Sequence, residues 1–79
     1  MSELATKIHS IVAATFGVPV TSITEHTSSD TIESWDSMNH LHLVVALEAE
    51  FAVSFEPELA VELTSVRAIE QALVTLGAR

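Results

Sequence analysis

Glu33-Ser34-Trp35-Asp36-Ser37-Met38-Asn39-His40-Leu41 is where the chain changes character, from a polar loop into its most apolar helix. Asp36 is a good N-cap residue, because its carboxylate can accept a hydrogen bond from an orphan backbone N–H of the first turn. Ser37 then takes the first helical position, with its hydroxyl expected toward solvent at the positive end of the helix dipole. A negatively charged group on or beside that serine is favoured there. The helix is expected over Ser37–Phe51. At about 100° per residue, Leu43, Val44, Leu47 and Phe51 share one arc, which is read as core. Met38, Leu41, His42, Val45 and Ala49 fall on the opposite side, where a surface helix ordinarily carries charge. Here that side is largely apolar, flanked by Glu48 and Glu50. A helix apolar on both sides is either fully buried or used for contact. Full burial is hard to arrange in 79 residues, so the second side is expected to meet a partner.

Toward the N-terminus, the spacing of Leu4, Ile8, Ile11, Val12, Thr15 and Phe16 predicts a helix over 3–16 with one buried stripe. Ser2 is placed to cap it, and Gly17 with Pro19 two residues on is a stop signal. From Val18 to Trp35 runs a long connection rich in Ser, Thr and Asp, with no sustained period. Val18, Val20, Ile23 and Ile32 are spaced to pin it to the helices. Toward the C-terminus, Val53-Ser54-Phe55 alternates but is too short for a strand. Pro57 suits the first position of a short helix over 57–62. Thr64 or Ser65 caps a last helix, in which Val66, Ile69, Leu73 and Leu76 form the buried stripe and Gly77 the end. The expected fold is all-α: a small four-helix bundle of three main helices and one short one, with a long first loop.

The chain has 79 residues, so one domain spanning 1–79 is expected, with a thin core. Met1 and the compact ends lead us to expect a free-standing protein, and a monomer. No cysteine is present, which rules out a disulfide framework and thiolate metal ligands. No apolar run approaches the ~18 residues of a membrane span, and Met1 is followed by Ser-Glu-Leu instead of a basic segment and a long apolar run, so a cytoplasmic location is expected and no membrane partner. Eleven acidic residues face three basic ones, for a net charge of −8. Nucleic acid is a poor partner for such a chain, and basic protein patches are better ones.

No catalytic constellation is present in the sequence. A nucleophilic serine needs a base in hydrogen-bond reach and an oxyanion site. His40 lies about 60° round the helix from Ser37, toward the core arc, and His42 about 140° away. There is no Gly-x-Ser-x-Gly turn. His40 and His42 splay about 200° apart and cannot share a metal ion on a helix. With glycine only at Gly17 and Gly77, no phosphate-binding glycine loop is possible. Taken alone, Asp36-Ser37 reads more readily as a helix cap than as a functional site, and it is the arrangement of the whole chain that changes the weighting.

In that arrangement the sequence resembles the acyl carrier proteins and the related peptidyl carrier domains. Asp36-Ser37-Met38 is similar to the family's Asp-Ser-Leu, and Leu43-Val44-Val45-Ala46-Leu47-Glu48-Ala49-Glu50-Phe51 to its apolar-then-acidic second helix. Phe16-Gly17-Val18, the long loop, the short third helix and Thr64-Ser65-Val66 also fall where that fold has them. The resemblance implies that Ser37 carries 4′-phosphopantetheine, with Asp36 beside it as the cap, and that the reactive thiol belongs to the cofactor. It implies a phosphopantetheinyl transferase as partner, an acyl- or aminoacyl-loading ligase or transferase, and synthase or tailoring enzymes with basic or apolar docking patches. Trp35, Met38, Leu41, His42, Val45, Glu48 and Ala49 are the expected docking residues. The chain would then be a non-enzymatic carrier of thioester-bound intermediates. Trp35 departs from the family's glycine, and its indole is expected to pack over the loop or shape the docking surface; Asn39 and His42 stand where fatty-acid carriers usually have carboxylates. This favours polyketide, nonribosomal-peptide or other specialised metabolism over housekeeping fatty-acid synthesis. Two alternatives remain: a carrier-like interaction module that is never charged, and a small hydrolase using Ser37.

Overall fold

The computed structural model describes residues 3–77. Four helices follow one another: α1 (Glu3–Phe16), α2 (Ser37–Phe51), α3 (Pro57–Ala60) and α4 (Val66–Thr75). The expected all-α bundle with one short helix is what forms, and α1 packs against both α2 and α4. The core is the shared interior of these stripes: Ile8, Val12 and Phe16 from α1, Leu43, Val44 and Leu47 from α2, and Val66, Ile69 and Leu73 from α4. Ala13 and Ala72 are also buried, small enough to let neighbouring backbones approach. Phe51 is half-buried and packs against this cluster from its edge. The expected cap at Ser2 lies outside the described residues.

Local chemistry sets the helix ends. Gly17 adopts the left-handed conformation (φ 69°), and the Val18 N–H returns 3.1 Å to the Ala13 carbonyl. That is the Schellman closure, which satisfies a carbonyl the helix leaves without a partner. Ala52 does the same for α2 at φ 54°, with the Val53 N–H donating 3.2 Å to Glu48 O. Ser65, rather than Thr64, caps α4, its Oγ accepting from the Ala68 amide at 3.0 Å. Two readings need correction. The short helix ends at Ala60, and 61–62 is a turn. Leu76 lies past the end of α4 and is 44% exposed, so it is not part of the buried stripe.

The 18–35 connection is ordered by hydrogen bonds instead of by a repeating helix. It opens with a 3₁₀ turn at Val20–Ser22, which the sequence reading missed. Next come side-chain turns: the Thr24 amide donates to Thr27 Oγ1 at 2.8 Å, and the Ser28 amide to Thr31 Oγ1 at 2.9 Å. Backbone bonds then join its middle to the start of α4, from Ser29 N to Thr64 O and from Val66 N to Thr27 O, each 2.9 Å. Ile23 and Ile32 turn inward and Val18 packs partly against the core, as expected. Val20 does not: it sits in the 3₁₀ turn and is 49% exposed.

Candidate functional site

The loop enters α2 through a run of short bonds. Trp35 N donates to Ile32 O at 3.1 Å, and Asp36 N to Ser34 O at 2.9 Å. The Ser34 hydroxyl donates 3.0 Å to the Phe16 carbonyl, which ties this entry to the end of α1. Asp36 has extended backbone and its Oδ1 accepts from the Asn39 amide at 2.9 Å, the N-cap geometry read from the sequence. Asn39 also donates from Nδ2 to Ser34 O at 2.9 Å and is half-buried, so its amide secures the loop from inside.

Ser37 is the first residue of α2 and is exposed. Among the described residues its hydroxyl has no hydrogen-bond partner. The first amides of α2 have no intrahelical carbonyl to bond, and with the helix dipole they favour an anion at this end. Beside Ser37 lies an open groove of about 410 Å³ bordered by Trp35, His40, Leu41, Val61 and Thr64. Its walls are mostly apolar.

Met38, Leu41, His42, Val45 and Ala49 are exposed along one side of α2, where helical phase puts them. The other two residues expected at a docking surface sit elsewhere. Trp35 is buried at 8% exposure, stacked on Phe16 with ring centroids 4.5 Å apart. It anchors the loop under the site because its large apolar ring gains more from burial beside Phe16 than an exposed position offers. Glu48 is half-buried, and its Oε2 accepts from the Phe55 amide at 2.8 Å, so this carboxylate holds the chain that leaves α2.

His40 is the residue whose importance the sequence reading missed. Its Nδ1 accepts from the Trp35 indole N–H at 3.0 Å, and its Nε2 lies 2.8 Å from the Ala60 carbonyl oxygen. Helical phase placed it toward the core. A tryptophan five residues before it was the available hint, but a backbone carbonyl twenty residues away leaves no mark in a sequence. Both ring nitrogens are committed, so neither is free to act as a base for Ser37.

α2 thus starts with an exposed serine beside an apolar groove, and among the described residues that serine has no hydrogen-bond partner. Among known families, the one described as PP-binding, phosphopantetheine attachment site, matches residues 6–73, and the chain belongs to that family. The domain is thus a site for covalently attached 4′-phosphopantetheine. The residues present fit such a group. An exposed, unpartnered hydroxyl stands at a helix N-terminus suited to a phosphodiester, next to an apolar groove open to solvent. Domains of this family are generally carriers without catalysis of their own, and they work with modifying enzymes such as transferases.

Proposed function

We propose that Ser37 is the residue that bears the 4′-phosphopantetheine arm, through a phosphodiester at its Oγ, and that the domain is an acyl or aminoacyl carrier. The observation that carries this reading is the exposed Ser37 hydroxyl, free of hydrogen bonds, at the capped start of α2. When bound, the arm supplies a terminal thiol on which an acyl or aminoacyl group is held as a thioester. The chain's own part is to fix the tether point and offer a surface to successive enzymes, which raises the local concentration of the cargo.

Asp36 and Asn39 set the serine's position by fixing the first turn. Met38, Leu41, Val45 and Ala49, with His42, make the surface on which a phosphopantetheinyl transferase, a loading ligase or transferase, and synthase or tailoring enzymes dock. The first turn of α2 contains no acidic residue, which supports partners that meet this face through apolar contact more than through salt bridges. That in turn supports polyketide, nonribosomal-peptide or other specialised metabolism over housekeeping fatty-acid synthesis.

The direct test is intact-mass measurement after incubation with a holo-synthase, coenzyme A and magnesium. Wild type is expected to gain the mass of one arm and Ser37→Ala nothing. No gain in wild type, or an equal gain in the variant, would sink the proposal. A second reading draws on the same exposed side of α2, which needs no arm to hold a partner. An uncharged interaction module predicts that Val45→Glu abolishes partner binding while Ser37→Ala leaves it intact.

A further inference from the structure

The indole N–H of Trp35 can only donate, so the His40 Nδ1 at 3.0 Å must accept. The Ala60 carbonyl can only accept, so the Nε2 at 2.8 Å must carry a proton. The partners therefore assign one form of the ring, the neutral Nε2–H tautomer. In that form it joins three parts of the molecule: the buried Trp35 stacked on the end of α1, α2 itself, and the last residue of α3. The third attachment matters most. α3 has four residues, no side-chain cap at its start and no fully buried residue, with Leu59 and Ala60 packed only partly against the core. Yet Val61 and Thr64, just beyond it, form one wall of the groove beside Ser37.

We propose that His40 is a positioning residue for the Ser37 site: its neutral ring holds the Ala60–Val61 end of the groove wall against α2, and protonation of the ring releases that end, while buried Leu63 and the Ser29–Thr64 bond keep the far end in place. The inference rests on the reading of Ser37 as the attachment point. A proton on Nδ1 would set two donors against each other across 3.0 Å. The indole is held by its stack on Phe16, so the imidazole is the group that turns, and its bond to Ala60 goes with it. The charged and titratable groups around the ring do not compensate. Asp36 before it is engaged by the Asn39 amide. Glu33 in the loop, His42 on α2, and Glu56, Glu58 and Glu62 around α3 are exposed. The last turn of α1 holds no charged residue. No ion pair to His40 is present among the described residues.

Trp35 is the sole tryptophan, so its indole N–H gives one identifiable signal in an ¹⁵N NMR titration from about pH 8 to about pH 5. In the wild-type protein that signal is expected to lose protection, and the amides of 60 and 61 to shift with it, at the midpoint at which the His40 ring itself titrates, while those of 63 and 64 stay in place. His40→Gln keeps an acceptor and a donor without a titrating proton, so there the same signals should stay in place. His40→Phe should show the released pattern already at about pH 8. Signals indifferent to the ring's titration, or moving equally in His40→Gln, overturn the proposal. The second readout is the ratio of kcat/KM for arm transfer to wild type over that for His40→Gln, which cancels the transferase's own pH dependence. It is expected near one at high pH and about fivefold lower once the ring is protonated, as loss of one hydrogen bond implies. A ratio of one throughout overturns the positioning role. Failure of both proteins to accept the arm, with the NMR response as stated, counts against Ser37 as the attachment point and leaves the His40 latch standing.

Discussion

Leu47 and Val45 lie two residues apart on α2, and both are branched aliphatics. Leu47 has no exposed surface, whereas Val45 keeps 64% of its own. The same split runs along the helix, with Leu43 and Val44 buried and Met38 and Leu41 exposed. Composition does not separate the two sides; angular position does, because α1 lies against one of them and, among the described residues, nothing covers the other. Apolar area removed from water on the inner side stabilises the fold by about 25 cal/mol per Å². On the outer side the same kind of surface gains nothing until something covers it, so under the proposed docking, stability and recognition fall on opposite sides of one helix.

The largest expected effect is on the inner side. Leu47→Ala removes a fully buried side chain from the centre of the core and should destabilise by about 2–5 kcal/mol, read as the shift in a urea unfolding curve. In a domain this small that is a large share of the total. Next comes the helix start, which belongs to neither side. Asp36→Ala removes the acceptor of the Asn39 amide and should cost about 0.5–2 kcal/mol. Because the cap also fixes the first turn, the same variant should accept the arm more slowly at Ser37 while binding partners through the outer side as before. A cost near zero would mean that the Asn39–Ser34 bond suffices to hold the turn.

Legibility followed the range of the interactions involved. The bounds of α1 and α2 were readable because caps and stops are local: Gly17, Asp36 and Ser65 each act on amides or carbonyls within a few residues. The side of α2 on which each residue falls was readable from helical phase alone. In the 18–35 connection four apolar residues were marked as anchors, but no period distinguishes Ile23 and Ile32, which turn in, from Val20, which does not. That choice is made by the bridge between 27–29 and 64–66, a contact across more than thirty residues. From the sequence, the Trp35 indole either packs over the loop or shapes the docking surface, and nothing near it in the chain chooses between the two. Its place under the site is set by Phe16, nearly twenty residues earlier. Likewise Glu48 read as a flanking acid until the path of the chain after α2 brought the Phe55 amide to it.

A smaller effect, of opposite sign, is expected at the far end of α2. Among the described residues Ala52 is the non-glycine residue with positive φ, 54°, where a side chain crowds the backbone. Glycine fits that conformation without strain but gives up more chain entropy on folding. The net gain for Ala52→Gly is expected to be about 0.5–1 kcal/mol in the same unfolding assay. Partner binding should not change, since Ala52 lies on neither side of α2. This makes the variant a control that moves stability without touching recognition.

The smallest stability effect, and the sharpest test of the contrast, belongs to Val45→Ala. A side chain 64% exposed has little burial to lose, so the change in unfolding free energy should stay within about 0.5 kcal/mol. Binding is a different measurement. If the outer side meets a partner at its centre, truncating Val45 should weaken the complex by more than about 1 kcal/mol, seen as a several-fold rise in KM for arm transfer with kcat little changed. Val45→Glu should weaken it further, since a carboxylate there is desolvated without a counter-charge on contact. Should Val45→Ala prove as costly to folding as Leu47→Ala, α2 would have no free side, and its outer residues would be apolar for the fold's own sake, with no partner needed.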